Sequence, residues 1–305
     1  MGLLDFFDNL GKKTRRIELN NSDANTYFAQ GAKKDQSGDY QGAIRDYTKA
    51  IEINANFYIA YYYRSLNKFA LTDYRGAIQD CDKAIEINPQ LAEAYSTRGL
   101  AKFVLTNYIG AINDFNKAIE INPQDTSVYI NRGIAKNELM DYSGAIQDYT
   151  RVIEINPNDA TAYSNRGGAK NDLKDHRGAI QDICKAIEIN PNDAFSYFNR
   201  GIAKNDLKDH NGAIQDYTKA IEIDPYYAQT YYNRGISKND LKNHKGAIQD
   251  YTKAIEINPN YSKAYYNRGI AKLGLGDRSG ACLDWRKAGE LGQSEAYNLI
   301  KDFCT

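Results

Sequence analysis

The amino-acid sequence specifies an all-α chain of stacked antiparallel helical hairpins, an α-solenoid. The tripeptide Gly-Ala-Ile recurs at Gly42, Gly76, Gly110, Gly144, Gly178, Gly212 and Gly246, returns as Gly-Ala-Cys at Gly280, and every step is 34 residues. A fixed period of that size marks a stacked repeat protein, in which each thin unit buries its apolar face against its neighbours. Each period carries two stretches with apolar residues at helical spacing. All six prolines, Pro89, Pro123, Pro157, Pro191, Pro225 and Pro259, fall at one slot. There they end the second stretch, because proline cannot continue the backbone ladder and forces its predecessor out of helical geometry.

Residues 1–23 read as an amphipathic leader and linker. Leu3, Leu4, Phe6, Phe7 and Leu10 fall on one side of a short helix, and Lys12, Lys13, Arg15 and Arg16 follow. Basic residues placed after the apolar stretch exclude a secretory signal. Two readings stand side by side: an interfacial membrane anchor, or a leader helix that covers the first repeat or lies in its groove. Asp23 is placed to cap the first repeat helix. Eight repeats then run 24–57, 58–91, 92–125, 126–159, 160–193, 194–227, 228–261 and 262–295. In the sixth, Tyr197, Gly201, Lys204 and Leu207 define a first helix of about 13 residues. Asp209 caps the second helix, and Asp or Asn fills that slot in all eight copies. Ala213, Tyr217, Ala220 and Ile221 mark its packing face, and Gly201 with the two alanines lets the helix axes approach to roughly 8–10 Å. Residues 296–305 supply a last helix that shields the open face of the eighth repeat.

Lysine plus arginine and aspartate plus glutamate both total 39, a formal net charge of zero. Nonspecific nucleic-acid binding needs surplus cations, so that balance argues against it. No apolar run approaches the roughly 20 residues that cross a bilayer. Cys81, Cys184, Cys282 and Cys304 show no paired spacing and read as reduced thiols of a cytoplasmic protein, with neither a disulfide nor a zinc framework. His176, His210 and His244 recur one repeat apart, roughly 10 Å, too far to share a zinc ion. They take the slot of Tyr40, Tyr74, Tyr108 and Tyr142 and read as structural substitutes. The sequence has no phosphate-cradling glycine loop and no Ser/His/Asp set, so neither enzymatic activity nor a cofactor or metal is expected.

The pattern resembles the tetratricopeptide repeat, whose signature runs W-x2-L-G-x2-Y, then A-x3-F, then P. Tyr197 stands in the first aromatic slot, Gly201 in the glycine slot, Ala213 and Tyr217 in the A-x3-F pair, and Pro225 in the proline slot. The resemblance covers residues 24–295 and implies a right-handed α-solenoid superhelix. The eighth copy drifts toward the Sel1-like form of the repeat. Two departures are systematic, because Arg200 replaces the leucine and Lys204 the second aromatic, and Tyr-x2-Arg-Gly-x2-Lys recurs from Tyr95, Tyr129, Tyr163, Tyr197, Tyr231 and Tyr265. Every copy also carries an aspartate in its second helix, from Asp46 and Asp80 through to Asp284. A ladder of Arg200–Asp216 pairs is expected from this; the alternative is a solvated Asp216–Lys219 pair at i, i+3.

On the first helix, residues 195, 198, 199, 202, 205 and 206 form a stripe apart from the packing face. By resemblance that stripe lines the concave surface where such repeats hold extended peptides or partner helices. Asn131, Asn165, Asn199, Asn233 and Asn267 form one row there. Asn137, Asn171, Asn205 and Asn239 form a second, flanked by Glu138, Asp172, Asp206 and Asp240. An asparagine amide both donates and accepts, so it can pair with a peptide's N–H and C=O together. Repeats two and three carry Tyr62, Tyr63, Leu66, Phe69, Leu100, Phe103 and Val104 at the same slots, an apolar and aromatic patch expected to be an exposed interaction site. The lysines that a chaperone-tail clamp needs are absent from Phe28, Tyr62, Tyr232 and Tyr266. The expectation is a noncatalytic scaffold that binds a protein or extended peptide carrying some Lys or Arg. The alternatives are a self-assembling module and, less in keeping with the charge, a single-stranded RNA binder.

Overall fold

The computed structural model describes residues 22–304, so the leader expectation for residues 1–16 lies outside the described residues. Among these residues 17 helices follow one another and no strand occurs. The chain divides into two compact units, Met1–Pro157 and Asn158–Thr305. The first holds α1 (Ser22–Gln36), α2 (Tyr40–Ile53), α3 (Tyr58–Ala70), α4 (Tyr74–Ile87), α5 (Ala92–Val104), α6 (Tyr108–Ile121), α7 (Thr126–Glu138) and α8 (Tyr142–Ile155). The second holds α9 (Ala160–Asp172), α10 (His176–Ile189), α11 (Ala194–Asp206), α12 (His210–Ile223), α13 (Ala228–Asp240), α14 (His244–Ile257), α15 (Ser262–Gly274), α16 (Arg278–Glu290) and α17 (Ala296–Phe303). Within each unit an odd-numbered helix packs on the next even-numbered one, which packs on the first helix of the following repeat. Successive first helices also touch, which places them on the inner side of each stack.

Local chemistry fixes where each hairpin turns. Every second helix opens on the expected cap: the side chains of Asp39, Asp73, Asn107, Asp141, Asp175, Asp209, Asn243 and Asp277 accept from the backbone N–H of the glycine three residues on. A Cβ on Gly212 would sit 2.1 Å from the Asp209 carboxylate, which is why the Gly-Ala-Ile glycine does not vary. Every first helix of repeats two to seven closes on a residue in the left-handed region: Thr72, Thr106, Met140, Lys174, Lys208 and Lys242, with φ between 60° and 68°. In the sixth repeat Asp209 N–H bonds to Lys204 C=O and Lys208 N–H to Asn205 C=O, the paired bonds of a Schellman end. Asp23 departs from expectation: α1 already begins at Ser22, so Asp23 lies in the first turn and does not cap it.

Packing between the two helices of a hairpin rests on a ring laid over a glycine. A Cβ on Gly31, Gly99, Gly133, Gly201 or Gly235 would meet the ring of Tyr47, Phe115, Tyr149, Tyr217 or Tyr251 at 2.6–2.8 Å. Repeat two reverses both partners. Ser65 fills the glycine slot and Cys81 the ring slot, with the thiol donating to the Ser65 hydroxyl at 3.3 Å. Burial pushes the Cys81 thiol up to about 12, so it stays protonated and unreactive.

The arginine at the leucine slot does two jobs. In repeats two to eight its Nε and one terminal nitrogen donate to both oxygens of the aspartate sixteen residues on, Arg64–Asp80 through Arg268–Asp284, at 2.5–3.0 Å. The lysine one turn after the arginine reaches the same carboxylate at 2.7–2.8 Å. The guanidinium lies over the tyrosine three residues before it, 5.4–5.7 Å from the ring centre. This accounts for Tyr-x2-Arg-Gly-x2-Lys, and the expected Arg–Asp ladder is present. The remaining arginine nitrogen donates backwards to the preceding repeat, to Thr48, Asp82, Asn116, Cys184, Thr218 and Thr252. The first repeat carries Gln30 at that slot, leaving Lys34 to hold Asp46 at 2.6 Å.

At the other end α17 lies on α16, burying Ala296 and packing the Phe303 ring, tilted, 5.9 Å from Trp285. That fold-back brings Cys304 to Cys282, with a Cα–Cα distance of 5.7 Å, and the two form a disulfide. The expectation of four reduced thiols is therefore wrong for this pair, while Cys81 and Cys184 are free. Both disulfide partners lie where the chain leaves its regular pattern, so their spacing says nothing of their approach. No described helix is long and apolar enough to cross a membrane.

Candidate functional site

Along the stripe singled out in the sequence, the two asparagine rows behave differently. In the second unit, Asn165 on α9 and Asn199 on α11 are half-buried, and among the described residues no hydrogen bond to another residue holds their amides. Asn233 accepts from Gln229 at 3.3 Å, and Asn267 donates to the Tyr232 hydroxyl at 2.9 Å. In the first unit Asn131, on α7, is likewise half-buried. The row therefore has open amides at Asn131, Asn165 and Asn199, and occupied ones at Asn233 and Asn267.

The second row is taken up by the stack. Nδ1 of His176, His210 and His244 lies 2.7–2.8 Å from Oδ1 of Asn171, Asn205 and Asn239, an imidazole N–H donating to the end of its own first helix. Asn205 also accepts from Ser237 of the next repeat, and Asn171 donates to Asp206 at 3.3 Å. Asn137 donates to the Tyr149 hydroxyl at 3.3 Å. These four amides join turn to helix and repeat to repeat, which corrects their placement as free peptide contacts. The histidines are the reason the sequence alone misled, because they turn back onto the row from the following helix.

Asp172, Asp206 and Asp240 are exposed and end α9, α11 and α13. A helix carboxyl end already carries partial negative charge, so a carboxylate there is electrostatically disfavoured and concentrates negative potential on that edge. Although Asp172 is exposed, partial desolvation by its neighbours raises its carboxyl above the ordinary value, with Lys174 opposing and Asp206 adding to the effect. His176 and His210 lie 3.8 Å from Asp206 and Asp240.

The aromatic patch expected in repeats two and three is largely interior. Tyr62, Leu66 and Phe69 are 3%, 8% and 6% exposed, packed with Phe57, Ile59 and Ala60 or with Ala77 and Ala101. They are core residues, a correction to their reading as an exposed anchor. Tyr63, Leu100 and Phe103 are half-buried.

One pairing escaped the sequence reading. The residue just before a first helix is Asp125, Asp159 or Asp193, each a side-chain cap, but Phe57, Leu91, Tyr227 or Tyr261 in other repeats, where no side chain caps. Where that residue is aromatic it packs on an aromatic inner slot of the preceding repeat: Phe57 on Phe28 at 5.3 Å, Tyr227 on Phe198 at 5.3 Å, Tyr261 on Tyr232 at 4.9 Å. The signal was legible in register, since Asp193 follows Ser164 and Tyr227 follows Phe198, both by 29 residues. At that Ser164–Asp193 junction the inner face is also thin, for a Cβ on Gly168 would meet nothing within 4 Å.

Tetratricopeptide repeat models match residues 24–57, 92–125 and 160–193, 194–227 and 228–261, 135–173, and 250–296. The eighth repeat, expected to drift toward the Sel1-like form, falls within the last of these matches. No curated protein matches the chain. Among solved structures it is similar to MamA, at 29% identity over 56% of this chain and 94% of that one, with a TM-score of 0.50. It is similar to YrrB, described as a TPR protein with an unusual peptide-binding site, at 25% identity over 59% and 92%, with a TM-score of 0.51. A tetratricopeptide repeat protein from Parabacteroides merdae, at 20% identity over 81% and 99% with a TM-score of 0.66, shares the fold.

Proposed function

The chain belongs to the tetratricopeptide repeat family, and from that premise we propose that the inner face of α9, α11, α13 and α15 holds an extended peptide or protein segment. The observation that carries this reading is the pair of open amides, Asn165 and Asn199, at equivalent places on successive first helices. Helices that pack at roughly 10 Å meet an extended chain that advances about 3.3 Å per residue. One amide thus faces the peptide backbone at about every third residue and reads main chain without regard to side chain. Asp172, Asp206 and Asp240 along one edge favour a segment with Lys or Arg at intervals. The likeness to YrrB, a peptide-binding TPR protein by its description, supports the same class of partner. The fold is that of a protein-interaction module.

A displayed library of random twelve-residue peptides tests this. The full chain should retain peptides enriched in Lys and Arg, and Asn165→Ala with Asn199→Ala should weaken the best of them at least tenfold. Retention of the same peptides at equal affinity by the double variant would sink the assignment while leaving the family untouched.

A further inference from the structure

The helix α17 is fastened differently at its two ends. At its start Ala296 is fully buried, and the Tyr297 ring lies over Gly289 of α16, where an added Cβ would meet it at 2.9 Å. Toward its far end the apolar contacts thin out: Leu299 and Ile300 are half-buried, and Phe303 is 36% exposed. That end is held by bonds instead. The Arg278 side chain donates to the Phe303 carbonyl, and Cys304 is joined to Cys282. Eight residues are too few for a helix to hold its shape alone in water. The place of Cys282 fits the same picture. The other seven repeats carry isoleucine at that slot, from Ile44 to Ile248, and cysteine replaces it in the repeat onto which α17 folds back.

We propose that the Cys282–Cys304 disulfide is a redox latch, which a dithiol reductant opens to free the far end of α17 from α16. The reductant's thiolate attacks Sγ of Cys304, which is half-buried, whereas Cys282 is 8% exposed. The Cys282–Cys304 bond breaks, a mixed disulfide forms at Cys304, and Cys282 leaves as thiolate. The reductant's second thiol then attacks its own bonded sulfur and expels the Cys304 thiolate. Two electrons pass to the protein, the reductant departs as its own disulfide, and the two cysteines take up the protons its thiols gave up. Without the covalent bond, the far end keeps only the Arg278 contact and the tilted Phe303 ring. It lifts about Ala296 and Tyr297, which stay seated, and uncovers Trp285 on the side that Phe303 shields. The other two cysteines, Cys81 and Cys184, are free, so a reductant has no second disulfide to act on. The inference uses none of the asparagines proposed to hold peptide, and stands or falls apart from them.

The test uses the full chain with and without dithiothreitol. In urea, two thiols should react with a maleimide before reduction and four after it. In the folded chain, reduction should speed amide exchange of residues 299–303 at least tenfold and leave residues 278–290 protected. Trp285 is the chain's only tryptophan, so its quenching by acrylamide should rise at least twofold on reduction. Cys304→Ser should show the fast exchange and strong quenching without any reductant, and dithiothreitol should then change neither. Four reactive thiols before reduction would overturn the proposal. So would exchange at residues 299–303 that reduction leaves unchanged, or a loss of protection that spreads through residues 278–290, which would make the bond a brace for the whole repeat.

Discussion

The arginine and lysine of each clamp ride on the same first helices as the inner rows, yet the clamps are uniform and the rows are not. From repeat two to repeat eight each clamp has the same residues in the same geometry, with the aspartate almost fully buried. On the inner side the slot of Phe69 and Phe103 holds Asp35 in repeat one, Asn171 in repeat five and Leu273 in repeat eight. The clamp within each repeat is copied unchanged, whereas the inner slot is a buried ring in repeat two and an amide bonded to its neighbour in repeat five.

The clamp should respond most strongly to damage. Asp250→Ala strands Arg234 and Lys238 in a half-buried site, and urea unfolding should show a loss of about 3–5 kcal/mol; a change below about 1 kcal/mol would make the ladder ordinary surface pairing. The ring-on-glycine seat comes next. Gly201→Ala puts a methyl group 2.6 Å from the Tyr217 ring and should cost about 1–3 kcal/mol. Adding Tyr217→Cys should recover part of that loss, as the Ser65–Cys81 pair of repeat two implies; strictly additive single and double variants would contradict the paired reading.

Smaller effects belong to the turns and the inner row. Lys208→Gly relieves a left-handed side chain at φ 66° and should raise the melting point by an amount equivalent to about 0.5–1 kcal/mol. Asp35, the first repeat's occupant of the inner slot, is held above the ordinary carboxyl range by burial, against a hydrogen bond from Asn67 that lowers it. A carboxyl raised in the folded state binds more protons there than in the unfolded chain, so its contribution grows as pH falls through the folded value. Asp35→Asn should therefore stabilise by about 0.5 kcal/mol or less at pH 7, with the gain vanishing on acidification; a gain that persists at pH 3.5 would mean the carboxylate is not the cause.

The period, the helix lengths, the caps and the arginine–aspartate pairing were legible because each depends on residues at a fixed distance in the chain. Register alone carries Arg200 to Asp216. What the sequence hid depended on side chains arriving from elsewhere. His176 turning onto Asn171 closed a row that spacing made to look open, and Tyr62 and Phe69 sank into packing that hydropathy does not locate. The Cys282–Cys304 disulfide required the chain end to double back, which no periodicity encodes.

The arginine nitrogen that reaches back to the preceding repeat has a consequence for ancestry. Each copy brings both halves of its seam, a donor for the copy before it and an acceptor for the copy after it. A gene segment of one period, duplicated or lost inside the array, leaves the arginine's backward bond at every surviving junction, though pairs such as Tyr227 on Phe198 are lost with their neighbour. Length in such an array is thus free to drift in whole steps.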